Sequence, residues 1–163
     1  MTLRRQLAFL TQNAEDIPTS QKETQEGLDV FQPSPSLGRG IRIYAIDLAA
    51  VAHHAFPLTG DRYSIKYEAQ LSDSAKFGQK ENVIAAVFLG TKYVQQDAEG
   101  LASGNGTDSG AIRWNPLPGG PMEIPLPGAI YLHAEFVNLD SINAVPAQGL
   151  KLAATATLWY DYI

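Results

Sequence analysis

The sequence predicts an all-β fold, an antiparallel two-sheet sandwich or single jelly roll, with an N-terminal arm that contains a short helix. Three observations predict it. The segments Tyr63 to Leu71 and Leu150 to Ile163 alternate apolar and polar residues with a period of two. Turn signals rich in Gly, Pro, Asn, Asp and Ser separate seven or eight such segments, and no stretch after residue 40 carries a convincing helical period. A length of 163 residues suits one domain, and the 45% hydrophobic share is enough to build its core.

In the arm, residues 1 to 40, Leu3, Leu7 and Leu10 recur at i, i+4 and i+7, which predicts a short amphipathic helix over residues 1 to 12. A helix this short is marginal alone and needs a surface to pack on. From Asn13 the chain turns to Gln, Glu, Ser and Thr and then to Gln32-Pro-Ser-Pro-Ser-Leu-Gly-Arg-Gly40, the composition of an extended connector. Arg4 and Arg5 precede apolar residues, but the apolar run stops at Leu10, too short for a secretory signal.

The domain, residues 41 to 163, opens with Ile41 to Leu48, where Ile41, Ile43 and Ala45 share one strand face. The run Ala49 to Ala55 is compatible with strand or helix. Tyr63, Ile65, Tyr67, Ala69 and Leu71 alternate with Ser64, Lys66, Glu68 and Gln70, which predicts one core face and one wet face. Val83 to Leu89 is apolar almost throughout, as in a strand buried on both sides, and is far shorter than the roughly 20 residues of a membrane-spanning helix. Asp97 to Gly110 holds four glycines without apolar periodicity and reads as a long surface loop. Five prolines between Asn115 and Gly128 exclude a helix and leave room for an edge strand such as Met122 to Leu126. Ile130 to Leu139 and Leu150 to Ile163 close the sheets.

Charge and composition exclude several functions. Net charge is −5, and the arm carries four basic residues against five acidic ones, so it lacks the electrostatic footprint of a nucleic-acid-binding tail. With no cysteine there is no disulfide, thiolate metal site or cysteine nucleophile. The histidines are His53, His54 and His133. The first two are adjacent, so on a strand they point to opposite faces and cannot share one metal. A cupin-type metal enzyme would need further ligands at strand spacing, and none are found.

Asp140, Ser141 and His133 contain the residue types of a hydrolytic triad, but no Gly-x-Ser-x-Gly elbow is present to raise a nucleophile. Gly104 to Gly110 lacks the lysine of a phosphate-binding loop. Glu68, Glu123 and Glu135 lie in or near strands, where a glycosidase would need two carboxylates facing across a cleft. Trp114 and Trp159, with seven tyrosines, could serve a carbohydrate-binding module as stacking platforms or simply fill core and interface. The expectation is a protein without catalytic site, metal or cofactor.

The arm Met1 to Gly40, the strand Tyr63 to Leu71 and the closing strands Ile130 to Leu139 and Leu150 to Ile163 together resemble small viral coat proteins. The resemblance is to the single-jelly-roll capsid proteins of tailless, membrane-containing phages. It implies a structural capsid subunit that resides in the virion, is assembled in the host cytoplasm and associates with itself and with other virion proteins, without direct contact to nucleic acid. A decoration or spike protein is the alternative within the same class. Membrane contact is compatible with this resemblance but is not indicated by any segment. Leu3, Leu7, Phe9 and Leu10 are the residues expected to bury against a neighbouring subunit, with the arm as connector.

Overall fold

The computed structural model describes residues 3–13, 22–31, 40–55, 62–77, 83–95, 105–125, 129–139 and 150–163. Among the described residues nine strands follow one another: β1 (Arg4–Asn13), β2 (Lys22–Phe31), β3 (Gly40–Ala55), β4 (Arg62–Ser72), β5 (Val83–Gln95), β6 (Asn105–Trp114), β7 (Met122–Pro125), β8 (Ile130–Asn138) and β9 (Leu150–Tyr162). They form two antiparallel sheets, ordered β1-β9-β3-β6 with β7 also on β3, and β2-β8-β4-β5. The first four strands therefore pair with later ones in reverse order: β1 with β9, β2 with β8, β3 with β6 and β4 with β5. That nesting is a jelly roll, with β7 as an addition to the eight-strand plan.

Alternation decides which residues fill the space between the sheets. Ile46, Leu48, Ala50 and Ala52 of β3 and Leu152, Ala154, Ala156 and Leu158 of β9 face Ile65, Tyr67, Ala69 and Leu71 of β4 and Ile130, Leu132, Ala134 and Phe136 of β8. All of these are buried. Tyr67 and Phe136, direct partners across β4 and β8, meet edge to face with centroids 5.7 Å apart, a favourable aromatic arrangement.

Strand β3 is the spine of the first sheet. Its start pairs with β7 and its end with β6, and the residues between them, Tyr44 and Ala45, coincide with a register shift against β9. There the Tyr44 carbonyl accepts a hydrogen bond of 2.9 Å from the Leu117 amide, so the β6–β7 connection folds back and buries Leu117. Gly119 and Gly120 complete the connection at φ of 84° and 97°, where residues with a Cβ are disfavoured.

Several expectations change. The helix expected over residues 1 to 12 is instead strand β1, and the connector expected from Asn13 to Gly40 contains strand β2. Residues before position 40 thus supply an edge strand of each sheet. The i, i+4, i+7 leucine spacing lost to the open edge of β9, which offers a ladder of ten paired positions from Arg4 to Asn13. Ala49 to Ala55 continues strand β3. The loop expected over Asp97 to Gly110 gives way at Asn105 to strand β6, the remainder lying outside the described residues. Strand β5 is an edge strand with Phe88 59% exposed, not a strand covered on both faces. The outer face of β4, expected to be wet, buries Glu68, Gln70 and Ser72.

Candidate functional site

Of the expected interface residues, Leu7 and Phe9 on strand β1, and Leu3 just before it, are exposed. Its inner side contributes Ala8 to the core, whereas Leu3, Leu7 and Phe9 are 53%, 58% and 59% exposed. Leu10 pairs with Ala154 in the ladder, and its side chain lies outside the described residues. Alternation explains the arrangement: odd-numbered residues of β1 share the solvent face, so Leu7 and Phe9 stand side by side.

The register shows what lies beside them. Phe9, Thr155, Ala49 and Ala111 are successive partners across β1, β9, β3 and β6. The next row inward on the same face holds Ala153, Val51 and Ser109. Phe9 therefore borders a flat field of Ala, Thr, Ser and Val, in which Val51 is itself 44% exposed, and Leu7 stands in the flanking row. Charge enters in the rows that flank this field on either side. In the Leu7 row, Asp47 pairs with Arg113 at 3.3 Å. At the other end His53 lies opposite Lys151, with its Nδ1 3.2 Å from Thr107 Oγ1.

Strand β1 is fastened to β9 by cation–π contacts as well as backbone bonds. The guanidinium of Arg4 sits 5.0 Å from the Tyr162 ring centroid. Tyr162 in turn meets Tyr160 edge to face at 5.8 Å. Burial and the neighbouring Tyr162 hold the Tyr160 hydroxyl above the usual tyrosine range. Trp159 takes Arg5 rather than forming an open stacking platform, and Trp114 packs partly buried against the core.

The residues weighed for catalysis or metal binding separate. His53 lies on the outer face of the first sheet, whereas His133 is fully buried on the second, and the His54 side chain is outside the described residues. Among the described residues no group of three or more His, Asp or Glu is placed to hold a metal. His133 Nε2 lies 2.9 Å from the Ser74 carbonyl oxygen and so donates to it, while Ser72 Oγ donates to the same carbonyl at 2.9 Å. Asp140 and Ser141, the other members of the triad on paper, lie outside the described residues, as does residue 104 of the glycine loop. Glu123 is on β7, bonded to Arg42 Nε at 2.9 Å, which keeps the guanidinium strongly basic. Glu68 and Glu135 do come together, as direct partners across β4 and β8. Sequence reasoning could not see this pair, because strand pairing between residues so far apart leaves no local pattern.

No protein-family model and no curated protein matches the chain. Solved structures do resemble it in fold, at low identity. That of Desmodium yellow mottle tymovirus aligns at a TM-score of 0.37 and 8% identity, over 97% of this chain and 87% of that one. Cocksfoot mottle virus aligns at 0.43 and 11%, over 94% and 92%. The decameric BFDV capsid protein aligns at 0.37 and 16%, over 98% and 97%.

Proposed function

We propose that this protein is a structural subunit of a virus particle, a capsid protein that assembles with copies of itself through the outer face of its first sheet. One observation carries the reading: Phe9 stands exposed at the border of the small-residue field of Thr155, Ala49, Ala111, Ala153 and Val51, with exposed Leu7 two residues before it on the same face. A monomer gains nothing from holding two large side chains in water beside a flat surface of small residues. A second copy fits both parts, since a two-fold contact lets Leu7 and Phe9 of one subunit lie on the field of the other. Burying each such side chain is worth about 1–2 kcal/mol beyond its present partial burial, and the contact is counted twice across a two-fold axis.

The jelly-roll order of the strands supports the same reading, because it presents two broad sheet faces and narrow loop ends, a brick that tiles. Residues 1 to 40 would act here as part of the tiling unit, adding the edge strands β1 and β2. A shell protein of a tailless, membrane-containing phage is the specific form of this proposal, and residence in the virion follows from it. The role is mechanical, with no reaction assigned. Electron microscopy of the purified full chain tests it: closed particles or regular oligomers are expected, and a monomer at high protein concentration would overturn it.

A further inference from the structure

A second feature lies on the opposite side of the molecule, on the outer face of the second sheet. Here Phe88, Glu68 and Glu135 are successive partners across β5, β4 and β8, and Ala86, Gln70 and His133 form the adjacent row. Phe77, on the segment after β4, stands over His133 with ring centroids 6.0 Å apart. Between these groups is a groove of about 470 Å³.

The groove is built from polar groups that are themselves withdrawn from bulk water. Glu68, Gln70 and Glu135 are each more than nine-tenths buried, and Lys66 is partly buried. Lys66 Nζ bonds Glu68 Oε2 at 2.9 Å and lies 4.6 Å from the Phe88 centroid. The residues that line this volume thus include two carboxylates, a carboxamide and an ammonium, of which Glu68 and Lys66 are bonded to each other. Phe88 supplies a broad apolar face at the rim and Phe77 a second ring along the wall.

We propose that this groove is a carbohydrate-binding site for a neutral saccharide of one or two rings. Its volume lies within the ordinary range for small-ligand sites of about 300–1,000 Å³. A sugar ring has hydroxyls at its edge, each of which both donates and accepts, and an apolar C–H face; the groove offers the matching set. A cation is a poorer match, because the chain's own Lys66 already occupies the position between Glu68 and Phe88. An anionic ligand is disfavoured by two carboxylates against one ammonium. The site differs from the Trp114 and Trp159 platform considered from sequence, since neither residue lines it. It lies on the sheet opposite the proposed assembly face, so its occupancy does not rest on particle formation.

The test uses the purified full chain on a printed array of neutral and sialylated glycans, followed by saturation-transfer NMR with the best-bound glycan. Saturable binding of neutral glycans is expected, weakened about tenfold or more by Phe88→Ala and retained by Phe88→Tyr, because the lost contact is an exposed ring face. Phe88 is exposed enough that melting of both variants should match the parent, which separates lost binding from lost folding. Absence of glycan binding, binding confined to sialylated glycans, or binding indifferent to Phe88→Ala would each overturn the proposal.

Discussion

The guanidinium of Arg5 lies 5.9 Å from the ring centroid of Trp159, its direct partner across the β1–β9 ladder. With Arg4 on Tyr162, this fastens the N-terminal strand to the last strand of the chain. The two ends of the sequence are thus one structural unit, and the consequence is measurable. Removing residues 1–31 strips an edge strand from each sheet and leaves β9 and β8 as bare edges, which are prone to aggregate. Ala8→Pro poses the same question without shortening the chain, because it places a residue lacking an amide within the strand opposite Ala156. A loss of about 3 kcal/mol or more is expected in urea unfolding, and an unchanged midpoint would show that β1 contributes little to the fold.

A second prediction concerns a close approach of the two sheets at Gly110. A Cβ on Gly110 of β6 would lie 2.9 Å from Val87 Cγ1 and 3.0 Å from Leu89 Cδ2 of β5, on the facing sheet. Gly110→Ala should therefore cost about 1–3 kcal/mol through overpacking. Gly119 is the informative contrast. Nothing lies within 4 Å of its added Cβ, but its φ is +84°, so Gly119→Ala should cost only about 1–2 kcal/mol, and for backbone reasons. Substituting Asn, which tolerates this backbone region, should recover part of the loss at 119 and none at 110.

A third prediction rests on Tyr67, which is fully buried and whose hydroxyl has no hydrogen-bond partner among the described residues. Burial, with the charge of Asp108 added, raises its pKa well above the ordinary tyrosine value of 10.0. The folded state therefore holds the proton more tightly than the unfolded chain, and the stability associated with this is complete below about pH 10 and lost as pH rises beyond it. Tyr67→Phe should be neutral or stabilising by up to about 1 kcal/mol at neutral pH, since it removes a buried polar group with no partner. It should also flatten the decline in melting temperature above pH 10. A loss of more than about 2 kcal/mol would mean that the hydroxyl has a partner after all.

Ser72 carries a fourth prediction. Its hydroxyl donates to the Ser74 carbonyl and accepts from the Ser74 amide at 3.3 Å, and it lies 3.2 Å from His133 Nε2. Ser72→Ala should cost about 1–2 kcal/mol by thermal unfolding and loosen the segment that carries Phe77 over the groove. Faster hydrogen exchange confined to residues 73–77 would verify the second part, and unchanged exchange there would count against it.

Much of this fold is legible in the sequence, for reasons that the structure makes explicit. Strands β4, β8 and β9 place every second residue in the core, so Tyr67, Phe136 and Leu158 announce themselves by alternation. Strand β1 does not, because the residue it is seen to pack against the core is the small Ala8, while Leu7 and Phe9 face outward. A leucine spacing that fits a helix was the stronger local signal, and only the open edge of β9 reverses it. Strand β6 is concealed for another reason: close packing on β5 requires Gly110, and glycine and polar residues resemble a loop. The expected interface residues Leu3, Leu7, Phe9 and Leu10 are legible as an apolar stripe on the arm. The alignment of Phe9 with Thr155 and Ala49 depends on pairing between the two ends of the chain. The groove was invisible for the same reason, since Glu68 and Glu135 become neighbours only through the β4–β8 ladder.

Sedimentation velocity of the full chain beside the double variant Leu7→Ser/Phe9→Ser, over a wide range of concentration, tests self-assembly through the outer face of the first sheet most directly. Both positions are exposed, so the variant should retain the parent's circular dichroism and melting temperature. Large assemblies are expected for the parent and monomer for the variant; identical sedimentation of the two, with folding intact, would show that Leu7 and Phe9 do not drive assembly.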